Sequence, residues 1–257
     1  MAQYADEFID RLHLVWGDGF LSPGGAEEVA EVTRGLDLKD AAVLDIGCGT
    51  GGPSIALAQD MGARVIGIDI EPQLLDRAHT LARDAGVADR IEFRQVTPGP
   101  LPFKDNSFDM VFSKDALIHI PDKQALYAEI MRVLKPGGAL AASDWLSGEN
   151  VDDDAAFQHY LSLVPLDYTM ATASQTADVM RKAGFERVET RDRNTWYSNL
   201  APQEVARIEG PLRDKIIEVS DIETYEKWLA IRRALAAAAQ SGGLRPTHLR
   251  GYNPAGA

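Results

Sequence analysis

The most constraining feature of this sequence is a glycine-rich segment at Val43–Gly52, where an apolar run leads into four glycines within six residues. The apolar run predicts a buried strand, and the pattern of the following residues, Gly52–Met61, predicts a helix. Glycines between a strand and a helix carry no Cβ atoms, so the backbone there can approach a ligand closely. Free N–H groups at the start of a helix also favour a carboxylate or a phosphate. The segment therefore predicts a cofactor-binding turn.

Short apolar runs and helical patterns alternate through the first 146 residues. The apolar runs predict strands at Ala42–Ile46, Arg64–Ile70, Ile91–Gln95, Met110–Ser113 and Ala139–Asp144. The helical patterns that separate them lie at Gly52–Met61, Pro72–Ala85 and Lys123–Leu134, and Gly137-Gly138 predicts a turn before the last strand. Alternation at this spacing predicts an α/β fold with a doubly wound, Rossmann-like sheet.

The segments on either side of this core are predicted to be mainly helical. Residues 1–40 contain an amphipathic pattern at Tyr4–Trp16 and a second helical pattern, and together they can form a lid over the strand ends. After Asp144, at the end of the last of these strands, we predict helical insertions and two closing strands. The helices lie at Ala155–Leu163, Ser174–Ala183, Gln203–Val219 and Glu223–Gln240, and the strands at Arg187–Arg191 and Leu244–Tyr252.

We expect a single domain over residues 1–257, because the sequence has no linker and no internal repeat. Within it, residues 1–40 are predicted to be the lid and residues 41–146 the cofactor-binding core. Residues 147–257 are predicted to supply the acceptor-side helices and the closing strands.

Composition excludes several classes of function. The net charge is -13, from 26 basic and 39 acidic residues, and such a chain repels nucleic acid and anionic membrane surfaces. A single cysteine, Cys48, excludes an intramolecular disulfide and a cysteine-based zinc site. The N-terminus lacks the features of a secretory signal, and no apolar run approaches the ~20 residues that span a bilayer. We therefore expect a cytoplasmic protein with a small-molecule partner and no metal; the sequence does not predict its oligomeric state.

Further motifs follow the glycine-rich turn. Asp69 ends the next predicted strand, 24 residues after Asp45, and a carboxylate there can accept hydrogen bonds from both ribose hydroxyls. Three short motifs follow, at Leu101–Phe103, Ser107–Val111 and Val133–Gly138. In combination, these features resemble the class I S-adenosylmethionine-dependent methyltransferases over about residues 40–146. The alternative is a Rossmann domain that binds NAD.

The resemblance implies that the cofactor is S-adenosyl-L-methionine. Gly47 and its neighbours would hold the methionine part, Asp69 the ribose and Ile70 the adenine. Many of these enzymes have an aspartate that binds the adenine amino group, and its position is Thr97 here. The complete set of predicted cofactor-binding residues is Leu21, Ser22, Asp45, Gly47, Gly49, Asp69, Ile70, Thr97, Pro98 and Lys114.

Two other segments resemble the phosphoethanolamine (phosphobase) N-methyltransferases. One begins with Gln3-Tyr4 and includes a Ser-x-Gly-Gly turn, and the other is Phe112–Ile120. The resemblance implies that Tyr4 and His119 form a latch over the substrate and that Asp115 helps to bind the amine. The residues predicted to bind substrate are Gln3, Tyr4, Asp115, Trp145 and Tyr160.

Amine methylation needs groups of this kind. An alkylamine is protonated near pH 7, and a base such as His119 can remove the proton that blocks its lone pair. Asp115 can hold the ammonium, the Tyr4 hydroxyl can fix the imidazole, and the rings of Trp145 and Tyr160 can attract a substituted ammonium. Structural roles are the alternative. His119 can merely line a pocket, Asp115 can cap the following helix, Tyr4 can be an ordinary helix residue, and the aromatic rings can pack in the core.

The predicted acceptor is a small amine or amino acid that carries no phosphate. The phosphobase family has an arginine and a tyrosine at its phosphate site, where this chain has Val164 and Leu166. Neither side chain can bind a phosphate. Arg232, Arg233 and Arg245 can supply positive charge, but we expect all three at the surface. A phosphobase N-methyltransferase, a C- or O-methyltransferase of an apolar molecule, and a cofactor-binding module without activity remain alternatives.

Two pairs of residues outside the motifs receive weaker interpretations. His13 and His159 have no evident partners in the sequence pattern and are predicted to be structural. His248 and Arg250 belong to the last predicted strand, and they can either reach the pocket or close the sheet.

Overall fold

The computed structural model describes residues 5–164 and 170–255, and every structural statement below refers to them. Seven strands form one sheet in the order β3-β2-β1-β4-β5-β7-β6. Strands β1 to β5 pair in parallel, and β7 is antiparallel to both β5 and β6. The strands are β1 (Ala42–Ile46), β2 (Arg64–Asp69), β3 (Ile91–Gln95), β4 (Phe108–Lys114), β5 (Leu134–Ser147), β6 (Glu186–Asp192) and β7 (Leu244–Tyr252). The doubly wound α/β fold is confirmed.

Ten α-helices accompany the sheet in the described residues. They are α1 (Asp6–Trp16), α2 (Gly25–Thr33), α3 (Gly52–Met61), α4 (Pro72–Asp84), α5 (Lys123–Val133), α6 (Ala155–Leu163), α7 (Ala173–Lys182), α8 (Asn194–Glu209), α9 (Arg213–Val219) and α10 (Ile222–Ser241). Short 3₁₀ turns lie at Leu117–His119 and Val151–Asp153. No helix in these two stretches combines the length and the apolarity that crossing a bilayer requires.

Apolar side chains cover both faces of the sheet. Successive residues of a strand point to opposite faces, and β1 follows this rule. Val43 packs in a buried cluster with α2, α3 and α4, whereas Leu44 packs in a second cluster with α5 and α7. The near-continuous apolar runs that predicted these strands therefore reflect a sheet buried on both faces.

A group of helices adds two smaller cores beside the sheet. One core joins α6, α8 and α10, with Phe157 and Tyr197 among its buried members. The other joins α1, α8, α9 and α10, with Leu12, Ile208 and Trp228 among its buried members. Helix α1, which the sequence predicts to belong to a lid, is thus packed against the last helices of the chain.

Two predicted elements need correction. The helix predicted at Gln203–Val219 is two helices, α8 and α9, because Gly210-Pro211 interrupts it and proline cannot donate the helical hydrogen bond. The glycines at 137 and 138 do not form a separate turn, since β5 begins already at Leu134 and contains them. There the pairing of β5 with β4 shifts register, from Phe108 opposite Leu134 to Met110 opposite Ala139.

Candidate active site

A cavity of about 1200 Å³ lies where the carboxyl ends of β1, β2, β4 and β5 meet helices α1, α6 and α10. Ligands of open α/β sheets bind outside the carboxyl ends of the strands, where the strand order reverses. Here that reversal falls between β1 and β4, which pair with each other. The cavity therefore occupies the position that this fold offers to a cofactor and a substrate together.

The glycine-rich turn between β1 and α3 forms one wall of the cavity. Gly47 has φ +70°, and a Cβ atom on it would overlap the Cβ of Ala116. Gly49 has φ +54°, and its Cβ would lie 2.9 Å from the side chain of Leu21. The N–H groups of Gly47 and Cys48 donate to the carbonyl of Ile68. Only glycine fits these two positions, and the turn is held by its own backbone.

The end of β2 supplies an acidic group and an apolar surface next to this turn. Asp69 accepts hydrogen bonds from the N–H groups of Gly49 (2.9 Å) and Glu71 (3.0 Å), and burial raises its pKa. Each carboxylate oxygen keeps a free lone pair that can accept a hydroxyl proton. The side chain of Ile70 is 47% exposed and lines the cavity, as do Thr97 and Pro98. A ribose next to Asp69 and an adenine against Ile70 fit these residues.

Asp45 does not reach the cavity wall. Its side chain is completely buried behind the turn, where Oδ2 accepts a hydrogen bond from Ser54 Oγ at 2.6 Å. Oδ1 has no partner among the described residues, and burial raises the pKa of Asp45 to about 7. The structure thus separates Asp45 from the other predicted cofactor residues and links it to the start of α3.

Lys114 connects the lid segment to the end of β4. Its ammonium donates to Ser22 Oγ (2.6 Å), to the Pro23 carbonyl (2.8 Å) and to Asp115 Oδ2 (2.8 Å). These bonds use all three ammonium protons. Leu21, Ser22 and Lys114 all line the cavity.

A second connection joins the lid to the glycine-rich turn. A ring nitrogen of His13 lies 3.1 Å from Thr50 Oγ1, and Gly52 N–H donates to the Gly19 carbonyl. His13, which the sequence pattern left without a partner, therefore holds α1 against the cofactor turn.

Asp115 and His119 both line the cavity at the end of β4. Asp115 has φ +57°, and its Oδ1 accepts a hydrogen bond from Ser143 Oγ at 2.8 Å. Its carboxylate is thus shared by Lys114 and Ser143, and no helix-capping bond to it is found in residues 5–164 and 170–255. The side chain of His119 is accessible through the cavity, and the surrounding protein and Lys123 lower its pKa below the ordinary value of 6.5.

The other predicted acceptor residues divide into two groups. Trp145 and Tyr160 line the cavity, and the Trp145 ring packs edge-on against Tyr197 with centroids 4.9 Å apart. Val164 lines it as well. Gln3, Tyr4 and Leu166 lie outside the described residues, so the latch between Tyr4 and His119 stays a prediction.

The expectation that Arg232 lies at the surface is wrong. It lines the cavity from α10 with its guanidinium buried, 2.8 Å from Glu204 Oε2 and 2.9 Å from the Tyr197 hydroxyl. The same guanidinium lies over the ring of Trp16, whose indole N–H donates to Glu204. Arg233 and Arg245 are more exposed and pair with Glu209 and Asp192, respectively.

Arg11 is a cavity-lining cation that the sequence reasoning missed. It lies on α1 at 7% exposure, with its guanidinium 5.4 Å from the centroid of the Phe8 ring and 5.9 Å from that of Trp228. A usable signal existed, because Arg11 follows Phe8 by three residues and precedes Val15 by four. It therefore occupies the apolar face of an amphipathic helix.

His248 and Arg250 close the sheet and do not line the cavity. His248 lies 2.6 Å from Glu28 Oε1 on α2, and Arg250 donates to the carbonyl of Val32. The His248 contact and the hydrogen bonds from Arg193 hold the pKa of Glu28 at about 2 despite its burial. These contacts fasten α2 to the sheet edge. No group of three or more metal-ligating side chains occurs in the part of the chain that the structure describes.

Comparison with known proteins agrees with the position of the cavity and the turn. The family model described as "Methyltransferase domain" matches residues 37–197, which include the glycine-rich turn and strands β1 to β6. The chain belongs to the methyltransferase domain family. Its residues Gly47, Gly49, Asp69 and Ile70 lie within the matched region.

Curated relatives of this chain include a phosphoethanolamine N-methyltransferase and a sterol C-methyltransferase. Phosphoethanolamine N-methyltransferase 1 of Arabidopsis thaliana is 32% identical over 87% of this chain and 45% of its own length. Sterol 24-C-methyltransferase erg-4 of Neurospora crassa is 35% identical over 63% of this chain and 46% of its own length. The chain spans about half the length of the curated relatives it matches.

Solved structures resemble the methyltransferase over almost its whole length. Phosphoethanolamine N-methyltransferase 2 of Haemonchus contortus, in complex with phosphomonomethylethanolamine and S-adenosylhomocysteine, is 25% identical with a TM-score of 0.89. The match covers 98% of this chain and 59% of that one. A putative sarcosine dimethylglycine methyltransferase of Galdieria sulphuraria has a TM-score of 0.82 at 22% identity, with 98% and 99% of the two chains covered, and it shows the shared fold alone.

Proposed function

We propose that the chain is an S-adenosyl-L-methionine-dependent N-methyltransferase that acts on a small amine or amino acid. The observation that carries this proposal is the position of Asp115 and His119. They line the same cavity as the glycine-rich turn and the aromatic rings of Trp145 and Tyr160. A carboxylate, a neutral imidazole and aromatic faces are the groups that an amine acceptor requires.

The cofactor half of the proposal rests on complementary groups along the strand ends. Gly47 and Gly49 leave room for the methionine part, Asp69 accepts from the ribose hydroxyls, and Ile70 packs against the adenine. Thr97 and Pro98 complete the adenine end, where a threonine hydroxyl replaces a carboxylate. Two structures of the Haemonchus relative were determined with S-adenosyl-L-methionine or S-adenosylhomocysteine, which supports the same cofactor here.

When bound, S-adenosyl-L-methionine supplies an electrophilic methyl group. Asp115 binds the acceptor as an ammonium ion, and a ring nitrogen of His119 takes the proton that occupies the nitrogen lone pair. The lowered pKa of His119 keeps its imidazole neutral at pH 7 and able to accept. Water exclusion by the lid also lowers the pKa of the bound ammonium, which eases its deprotonation. Lys114 donates hydrogen bonds to Ser22, Pro23 and Asp115. It thereby holds the lid closed next to the reacting nitrogen.

The lid gives Tyr4 a role in the same proposal. Tyr4 immediately precedes the described part of the chain, which begins at Ala5 in the cavity wall. The resemblance to the phosphobase enzymes supports a latch in which the Tyr4 hydroxyl fixes the His119 imidazole and Gln3 contacts the substrate. This latch would place the acceptor nitrogen in line with the methyl group.

A second candidate function is methylation of carbon or oxygen on an apolar molecule. Val164, Met170, Ile231 and Leu235 give the acceptor end an apolar surface. The sterol C-methyltransferase relative supports this candidate as well. A phosphobase acceptor, suggested by the other relatives, is disfavoured by Val164 at the expected arginine position.

Release of S-adenosylhomocysteine across three classes of acceptor tests the proposal. The classes are amines and amino acids, phosphoethanolamine with its methylated forms, and apolar phenols and sterols. We expect turnover with the first class and at least 10-fold lower kcat/KM with the other two. Preference for phosphoethanolamine would contradict the reading of Val164, and preference for an apolar acceptor would favour the second candidate.

A further inference from the structure

We propose that Arg11 binds a carboxylate on the acceptor, so that the natural substrate is an amino acid rather than a simple amine. This inference deepens the proposed N-methyltransferase function and rests on it. It assigns the anionic end of the substrate to the lid helix α1, while Asp115 and His119 serve the amine end.

Arg11 lines the cavity, and no carboxylate among the described residues forms an ion pair with its guanidinium. Its side chain is more than nine-tenths buried, and Nε has no hydrogen-bond partner. No ion pair or hydrogen bond to its guanidinium is found among residues 5–164 and 170–255; its contacts are the rings of Phe8 and Trp228. Glu7 and Asp221 act on it only through longer-range attraction, and burial lowers its pKa. Burying a cation without an anion is costly, so an anionic ligand in the cavity would relieve that cost.

The other basic groups at this end of the cavity already have partners. Arg232 is neutralised by Glu204 at 2.8 Å and also donates to Tyr197. Lys227 pairs with Glu223 at 2.6 Å on the exposed side of α10. Both line the same cavity as Arg11, but neither leaves an unpaired positive charge.

The position of Arg11 assigns it to the acceptor rather than to the cofactor. Its guanidinium lies over Trp228 of α10, and Trp228, Ile231 and Arg232 line the cavity from that same helix. The cofactor residues Asp69, Ile70 and Thr97 belong to the ends of β2 and β3 instead. An anion paired with Arg11 would therefore contact the helical wall of the cavity.

A carboxylate fits Arg11 better than a phosphate does. A planar guanidinium and a carboxylate form two parallel hydrogen bonds, and the two charges cancel. A phosphate monoester carries nearly two negative charges at pH 7. One unpaired arginine, in a cavity that the apolar side chains of Val164 and Ile231 also line, would leave the second charge buried without a partner.

Matched acceptors with the wild type and Arg11→Met test the inference. Each pair differs only by the carboxylate: glycine with methylamine, β-alanine with ethylamine, and γ-aminobutyrate with propylamine. Phosphoethanolamine is included as an acceptor that carries a phosphate in place of a carboxylate. We expect the wild type to prefer the amino acid of at least one pair. In Arg11→Met, KM for that amino acid should rise about 10- to 100-fold with little change in kcat, as expected for loss of a charged hydrogen bond. KM for the matching amine should not change.

Three controls separate this role from a structural one. Arg233→Met removes an exposed arginine on α10 that pairs with Glu209, and it should behave as the wild type. Affinity for S-adenosylhomocysteine, measured by calorimetry, should be equal in all variants. Arg11→Lys keeps the charge without the planar fork and should give an intermediate KM.

Several results would overturn the inference. One is an unchanged KM for amino acids in Arg11→Met, another is an equal loss for amines and amino acids, and a third is an Arg11-dependent preference for phosphoethanolamine. If the wild type methylates no acceptor of any class, the N-methyltransferase proposal fails separately. Calorimetric binding of the same amino acids to the S-adenosylhomocysteine complex then decides the present inference: binding lost in Arg11→Met supports it, and absence of binding contradicts it.

Discussion

The two halves of the cavity are built in different ways. The cofactor half is formed mainly by backbone, through Gly47, Gly49 and the N–H groups that hold Asp69, all between the end of β1 and the start of α4. The acceptor half is formed by side chains from α1, β4, β5, α6 and α10, which are spread over most of the chain. The first half is therefore a local structure, and the second depends on how distant helices pack.

This difference assigns different tasks to the two halves. A turn that only glycine can adopt fixes the methyl donor in one geometry and tolerates little change. Walls made of side chains can exchange one binding group for another without altering the sheet, and our proposal for Arg11 is a case of this kind. Relatives named for different substrates, phosphoethanolamine and a sterol, are consistent with this division.

The largest effect is expected on the free energy of unfolding, from loss of the Lys114–Asp115 ion pair that joins the two halves of the cavity. Lys114→Met leaves the buried carboxylate of Asp115 without its cation and also frees the lid at Ser22 and Pro23. Removing one partner of a buried pair costs about 3–5 kcal/mol, so urea unfolding should show a loss of that size. Lys135→Met breaks the half-exposed pair with Asp109 and should cost at most about 1 kcal/mol. Equal losses of unfolding free energy in the two variants would contradict a special role for the Lys114–Asp115 ion pair.

A glycine substitution tests whether the cofactor half depends on backbone geometry. In Gly47→Ala the new Cβ overlaps Ala116 at φ +70°, and we expect affinity for S-adenosylhomocysteine to fall by about 30- to 1000-fold, or roughly 2–4 kcal/mol. Gly86→Ala has nearly the same φ, +72°, but no atom within 4 Å of the new Cβ. It should lower stability by about 1–2 kcal/mol and leave cofactor affinity intact. Calorimetry on both variants separates the effect of the steric overlap at Gly47 from the effect of the positive φ alone, which both positions share.

A smaller effect is expected where only the chemistry of the acceptor half changes. His119→Gln should lower kcat about 100-fold while cofactor affinity and unfolding free energy stay constant. Because the pKa of His119 lies below 6.5, its imidazole is neutral at pH 7 and gains a proton only at lower pH. Wild-type kcat/KM should accordingly have an acidic limb below pH 6.5 that His119→Gln lacks. His159→Gln, on the exposed face of α6, is the matched control; an unchanged kcat in His119→Gln would exclude the general-base role.

Local patterns were sufficient to predict the sheet and the cofactor turn. β1, β3 and β7 have the predicted bounds, and α3 and α6 do as well. These elements combine buried periodic residues with glycine or aspartate at their ends, which are signals that depend only on neighbours in sequence. The strand-end pattern indicated Asp69, and the resemblance to the methyltransferases indicated Ile70, Thr97 and Pro98; all four reach the cavity.

Long-range contacts explain what the sequence did not predict. Arg232 was expected at the surface because nothing near it in sequence indicates its partner, Glu204, which lies on a different helix, α8. Arg11 escaped notice because its burial depends on Trp228, near the opposite end of the chain. Asp45 looked like a cofactor ligand from its motif, yet the fold directs it behind the turn to Ser54. In each case the decisive contact is tertiary.

The central claim is that the cavity transfers a methyl group to nitrogen. The most direct measurement is NMR of the product formed from S-adenosyl-L-methionine carrying a ¹³C-labelled methyl group, with the preferred acceptor of the three-class panel. The account predicts one labelled methyl signal with the chemical shift and coupling of an N-methyl group, which Arg11→Met weakens for amino acids alone. A labelled methyl group on carbon or oxygen, or no labelled product with any acceptor, would contradict the account.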